Sequence, residues 1–266
     1  DGALTTNSAS HNVGLGHDAL SLNNAGAKNI AIGTEALEQN TSADNNVAIG
    51  YQSLDQNTTG TGNLAIGTSA LGANTTADNN IAIGYQALDY NTTGTNNTAI
   101  GTSALGVNAS ADNNVAIGYQ TLDANSSGAG NTAIGTSALG ANTTASNNVA
   151  VGYQSLDAAT TGGNNTGIGT SSLGANTTGA SNTALGSAAL SSNTTASNNV
   201  AIGYQTLDAN TTGATNTAIG NSALGANTTA SNNVAIGYQS LDANTTGATN
   251  TAIGNQALGA NTTAAN

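Results

Sequence analysis

The sequence contains no proline, cysteine, methionine, tryptophan or phenylalanine, and only 5% of its 266 residues are charged. Without cysteine, the chain can form neither a disulfide scaffold nor a thiolate metal site. Lys28 is the only lysine or arginine, against 13 acidic residues, whereas proteins that bind nucleic acid carry clustered basic residues. The composition therefore excludes nucleic acid as a partner. Because no apolar run reaches about 18 residues, we also expect no membrane insertion in this segment.

The residues that are abundant are small or turn-forming, and they recur with a strict period. A glycine closes each tripeptide of the Ala-Ile-Gly type, and successive copies follow a 17-residue period over 15 copies without insertion or deletion. Such a period is typical of a solenoid, since an insertion would break the register between neighbouring coils. The glycines are Gly16, Gly33, Gly50, Gly67, Gly84, Gly101, Gly118, Gly135, Gly152, Gly169, Gly186, Gly203, Gly220, Gly237 and Gly254.

One unit, residues 46–62, reads N-V-A-I-G-Y-Q-S-L-D-Q-N-T-T-G-T-G. Residues 47–50 are predicted to form a short strand and residues 53–54 a second one. The Asn-Thr-Thr-Gly and Asn-Asn segments are predicted turns, because Asn and Gly tolerate positive φ. Coils would pair at about 4.8 Å, which stacks identical residues into ladders. We therefore predict an all-β fold, a parallel β-solenoid of 17-residue coils over residues 12–266, preceded by an irregular lead-in over residues 1–11.

Three columns of the repeat are predicted to form structural ladders. Their representative members are Ile49, Ile66, Ile83, Ile100, Leu54, Leu71, Leu88, Leu105, Asn46, Asn63, Asn80 and Asn97. Along the strand, Val47 and Ile49 share one face, and Ala48 and Gly50 share the other. Either the small residues fill a narrow interior and the Val/Ile face needs a partner, or Ile49 and Leu54 face inward in a monomer.

Tyrosine and aspartate appear in alternate units, and the units between carry Thr-Ser and Gly at the same positions. The alternation slips once, after Gly186, which indicates that the 17-residue repeat is the chemical unit. The slip does not decide how many residues make one turn of the solenoid, and a turn of 34 residues with two similar halves stays an alternative. Aspartates two coils apart repel each other less than aspartates in adjacent coils, so we interpret them as solubilising charges. The candidate surface-binding residues are Tyr51, Tyr85, Tyr119, Tyr153, Tyr204 and Tyr238.

The motif Asn-Thr-Ala-Ile-Gly, followed by two residues and Ala-Leu at residues 131–139, resembles the head repeats of trimeric autotransporter adhesins, the YadA-like head. It is also similar to repeats of bacteriophage tail fibres. The resemblance covers residues 12–266, although these units are longer than those of adhesin heads. It implies a left-handed parallel β-roll and three chains packed side by side.

We predict no catalytic residue, metal site or cofactor. His11 and His17 are the only histidines, and both lie near the N-terminus. The glycine-rich aspartate pattern of calcium-binding β-rolls is absent. The recurrent Asn-Thr-Thr triplets match the N-glycosylation pattern, but Asn and Thr are also common turn residues, which is the reading we favour.

Three functional hypotheses follow, none of them enzymatic. The first is a structural fibre or adhesin, shaft or head, at a bacterial cell surface or in a phage tail. Such a protein would be extracellular, would associate with copies of itself as a trimer, and would contact a host-surface receptor or glycan. The second is an ice-binding solenoid, which is disfavoured because Thr58 and Thr59 are adjacent and would point to opposite faces of a strand. The third is a subunit of a self-polymerising extracellular filament.

Overall fold

The computed structural model describes residues 2–3 and 9–264. This part of the chain contains no helix long and apolar enough to cross a bilayer. Each repeat contributes one strand of three residues. The strands are β1 Val13–Leu15, β2 Ile30–Ile32, β3 Val47–Ile49, β4 Leu64–Ile66, β5 Ile81–Ile83, β6 Thr98–Ile100, β7 Val115–Ile117, β8 Thr132–Ile134, β9 Val149–Val151, β10 Thr166–Ile168, β11 Thr183–Leu185, β12 Val200–Ile202, β13 Thr217–Ile219, β14 Val234–Ile236 and β15 Thr251–Ile253.

The chain divides into two compact units, Asp1–Asn131 with β1–β7 and Thr132–Asn266 with β8–β15. Within each unit, every strand pairs in parallel with the next strand along the chain, as where Val47 lies opposite Leu64. Paired residues are one 17-residue repeat apart, so the coil is this repeat and not a 34-residue pair. The predicted all-β parallel solenoid is therefore confirmed. Of the predicted lead-in, only residues 2–3 and 9–11 are described, and they contain no strand.

The strand places its small residue inside the coil. Ala48 is fully buried, whereas Val47 and Ile49 on either side of it are partly exposed. A narrow coil leaves room for a methyl group at this position but not for an isoleucine. Gly50 ends the strand with φ 138°, and a β-carbon there would lie 2.5 Å from the carbonyl oxygen of Gly67 in the next coil. The close approach of the two backbones explains why glycine recurs in this column.

The predicted second strand at residues 53–54 is wrong, because residues 51–56 form consecutive turns. Gln52 and Leu54 have φ values of 51° and 53°, in the left-handed region. Leu54 is nevertheless fully buried, and its amide donates to the carbonyl oxygen of Ala70 in the next coil at 3.0 Å. The coils therefore remain hydrogen-bonded here although the backbone is not extended.

Two columns of buried asparagine complete the interior. Asn74 donates through Nδ2 to Asn57 Oδ1 at 2.8 Å and to the carbonyl oxygen of Ala77 at 3.1 Å. In the second column, Asn63 donates through Nδ2 to the same carbonyl at 2.8 Å. The Asn63 backbone amide donates to Asn46 Oδ1, also at 2.8 Å. Because buried polar groups are costly unless they are hydrogen-bonded, these contacts both satisfy the interior and fix the register.

Candidate functional site

The outward side chains of the strands form the first candidate surface, which we call the apolar stripe. It consists of the first and third residues of each strand, as in Val47 and Ile49. The first column is Val, Ile, Leu or Thr, with threonine mainly in the second unit, the third is Ile, Leu or Val, and no charged residue occurs in either. The predicted ladder residues Ile49, Ile66, Ile83 and Ile100 all belong to this stripe and are partly exposed. They are therefore surface residues and not core residues.

The other predicted ladder residues lie inside the coils. The leucines are fully buried, and the asparagines are at most 1% exposed. They hold the coils together and are not accessible to a ligand. These buried members are Leu54, Leu71, Leu88, Leu105, Asn46, Asn63, Asn80 and Asn97.

The six predicted tyrosines form the second candidate surface, which we call the tyrosine row. Each occupies the same position of its coil, directly after the glycine that ends the strand, and each is between 49% and 53% exposed. The first unit contains Tyr51, Tyr85 and Tyr119, and the second contains Tyr153, Tyr204 and Tyr238. The seventh tyrosine, Tyr90, is 63% exposed but occupies a different column. Because Tyr90 departs from the repeat, periodicity gave no reason to select it.

The alternation of large and small residues creates shallow notches between the tyrosine-bearing coils. One notch in the first unit is lined by Gln52, Asp55, Ser69, Gly72, Asp89 and Tyr90, among others. A β-carbon on Gly72 would lie 2.8 Å from Asp89 Oδ1 and 3.5 Å from Asp55 Oδ1. Carboxylate oxygens from the coils on both sides therefore reach the space beside the intervening glycine.

Partial burial raises the pKa of the Asp55 carboxyl to about 6, because desolvation disfavours its charged form. The charges of Glu38 and Glu35 raise this pKa further, and hydrogen bonds from the backbone amides of Asp55 and Gln56 oppose the rise. Burial also raises the pKa of the equivalent carboxyls in the other tyrosine-bearing coils. These are Asp89, Asp123, Asp157, Asp208 and Asp242.

The two threonine columns differ in what their hydroxyls do. Thr58 is half-buried and donates through Oγ1 to the carbonyl oxygen of Thr75 at 3.0 Å. Thr75 repeats this contact with Thr92 at 3.3 Å. Thr59, in the adjacent column, is exposed. The hydroxyls of the first column are therefore engaged with the backbone, and only the second column presents an outward row.

The two histidines lie at the start of the first unit, where His17 directly follows Gly16 and occupies the column of the tyrosine row. His17 is exposed, and its Nδ1 lies 3.0 Å from Asp18 Oδ2, while His11 is exposed next to the first strand. Within the described residues, no three His, Cys, Asp or Glu side chains come together as a metal site would require. The chain matches no protein-family model and no curated protein sequence.

Proposed function

We propose that this chain is a non-catalytic structural protein, the shaft or head of an extracellular fibre on a bacterial cell surface or a phage tail. In this proposal, copies associate side by side through the apolar stripe, with three chains as the favoured number. The left-handed roll and the trimer are what the resemblance to adhesin heads implies. The observation that carries the proposal is the apolar stripe, a continuous row of partly exposed Val, Ile, Leu and Thr in each unit.

Association through the stripe is physically favourable. Burial of apolar surface contributes about 25 cal/mol per Å², and contiguous apolar patches on soluble proteins commonly mark interaction sites. The stripe carries no charge, so copies can meet there without burying any part of the formal net charge of −12. Because every copy has the same 17-residue period, parallel neighbours would match coil for coil.

The ice-binding alternative has weaker support. It needs a flat array of free hydroxyl and methyl groups, whereas the hydroxyls of Thr58 and Thr75 are already bonded to the backbone. The exposed Thr59 column alone forms a single row. The fibre proposal does not depend on side-chain groups that are already hydrogen-bonded within the fold.

The mass of the protein in solution tests the proposal. We expect sedimentation equilibrium to give three times the chain mass of 25.5 kDa. Ile66→Asp with Ile100→Asp puts two charges in the stripe and should give a folded monomer. The matched control, Thr59→Asp with Thr93→Asp, adds the same charge in the exposed threonine column and should stay associated. A monomeric parent protein, or equal dissociation of both variants, would contradict association through the stripe.

A further inference from the structure

We propose that the tyrosine row within each unit binds an extended, neutral, β-1,4-linked polysaccharide, with rings that are two coils apart stacking on alternate sugar residues. The row is distinct from the apolar stripe, so this proposal does not rest on self-association. It rests on the spacing, exposure and rigidity of the rings and on the charge around them.

The spacing of the rings is fixed by the coil. Tyr51, Tyr85 and Tyr119 occupy identical positions two coils apart in the first unit, and the in-register pairing places them in line. Two coils correspond to about 9.5 Å. This is close to the length of two sugar residues in an extended β-1,4-linked chain, whose faces repeat every second residue. Thr68 and Thr102 occupy the coils between, so each ring stands above smaller neighbours.

The rings are held on a rigid backbone. The amides of Gly50 and Gln52, on either side of Tyr51, donate to the carbonyl oxygens of Ile32 and Thr34 in the preceding coil at 2.8 Å and 3.0 Å. The Tyr51 carbonyl oxygen accepts from the Ser69 amide in the following coil at 3.0 Å. A tyrosine so placed supplies a large contact area and has few torsions to immobilise on binding, which favours affinity.

Polar groups next to the row match a neutral glycan. Each tyrosine is followed directly by a glutamine, and the glutamine and the aspartate of the coil line the adjacent notch, as Gln52 and Asp55 do. The Gln52 amide already donates to Glu35 Oε2 at 2.7 Å, and its second N–H and its carbonyl oxygen can donate to and accept from sugar hydroxyls. The Asp55 carboxylate can accept from them. The same aspartates, with the net charge of −12, would repel an anionic polymer. The ligand is therefore an uncharged polysaccharide.

Binding to microcrystalline cellulose and to chitin powder, measured by depletion of protein from the supernatant, tests this inference. We expect the parent protein to bind at least one of them. Changing all six tyrosines of the row to serine should weaken binding by at least about tenfold, since several aromatic contacts are lost together. Thr59→Ser, Thr76→Ser and Thr93→Ser together trim exposed side chains in a different column of the coils, outside the notch, and should change binding little. Circular dichroism and sedimentation of each variant verify that folding and chain number are unchanged.

A second pair of variants isolates the spacing. With Tyr153, Tyr204 and Tyr238 changed to serine, the first unit alone carries the row. In this background, Tyr85→Thr with Thr68→Tyr moves the middle ring by one coil without altering the number of tyrosines, and binding should fall. Binding that survives the shift, equal loss in the three-threonine control variant, or a parent protein that binds neither polysaccharide would overturn the proposal.

Discussion

Asn74 donates a 2.8 Å hydrogen bond from its side-chain amide to the side-chain oxygen of Asn57, one coil earlier, while both residues are fully buried. The same contact repeats along the column, for example from Asn108 to Asn91 at 2.9 Å. An amide that both donates and accepts can stack indefinitely only if every coil has the same length. The column therefore couples the interior of the solenoid to the strict 17-residue period.

Asn74→Ala should lower the free energy of unfolding by about 1–3 kcal/mol, because it leaves buried partners without a donor. Thr76→Ala, an exposed position of the same coil, should cost less than about 0.5 kcal/mol. Ala159 occupies this column in its own coil and is fully buried, so Ala159→Asn supplies the amide and should raise stability. Urea unfolding of the three variants measures these differences. A cost for Asn74→Ala no larger than that for Thr76→Ala would show that the column contributes little.

Leu139 and Ile134 belong to one coil but lie on opposite sides of its wall. Leu139 is fully buried and Ile134 is 38% exposed. Leu139→Asp places an unpaired charge in an apolar interior and should cost at least about 3 kcal/mol. Ile134→Asp should leave the far-UV circular dichroism spectrum at room temperature unchanged. Thermal unfolding compares the two variants. A larger loss of stability for Ile134→Asp than for Leu139→Asp would mean that the isoleucine column, and not the leucine column, forms the core.

Two glycines of this coil should respond differently to an added methyl group. Gly135 has φ 127°, and a β-carbon there would lie 2.6 Å from the carbonyl oxygen of Gly152. Gly135→Ala should therefore cost at least about 2 kcal/mol. Gly140 faces the end of the Asp157 side chain, which can rotate away, so Gly140→Ala should cost less than about 1 kcal/mol. Thermal melts of both variants give the comparison, and similar losses would contradict the close backbone approach at Gly135.

The period, the fold class and the Leu54 ladder could be predicted from the sequence, because a ladder of identical residues needs only equal spacing. Whether this ladder faces inward was one of two open alternatives. The backbone conformation of Leu54 could not be predicted from the sequence. A leucine at φ 53° is rare, and closure of a short coil imposes it against local preference. The Asn57 column was interpreted as a turn because asparagine favours turns, whereas here it forms a buried ladder. The nearly invariant small residue at Ala48 was the signal for an inward strand face.

Stability should increase as the pH falls from 7 to about 4. The Asp55 carboxyl has a pKa of about 6 in the folded chain and 3.8 as the reference value. Because the pKa is higher in the folded chain, the folded state binds a proton on Asp55 more tightly than the unfolded state does. Stability therefore rises as the pH falls through about 6, and the full increase is reached below pH 3.8. The other raised carboxyls act in the same direction. The midpoint of thermal unfolding is the measurement, and a midpoint that falls between pH 7 and pH 4.5 would contradict this account.

Asp55→Asn isolates one of these groups. It should raise stability at pH 7 by about 1 kcal/mol, allowing for the partial exposure of the carboxylate, and should reduce the dependence on pH. Asp78→Asn removes the same charge elsewhere, where the carboxylate accepts a 2.6 Å hydrogen bond from the Thr61 amide. This control should not raise stability.

Each 17-residue repeat makes one coil whose main contacts are with the coils beside it, and a deletion tests this most directly. Residues 182–198 form the coil at which the tyrosine alternation slips. Removing them joins equivalent positions, keeps every ladder in register and restores the alternation, so the melting temperature should change by only a few degrees. Removing only residues 182–189 sets turn columns against strand columns and should abolish cooperative melting of that region. Circular dichroism melts of both deletions beside the parent decide the matter: equal damage by the two deletions would contradict the 17-residue coil as the unit of this fold.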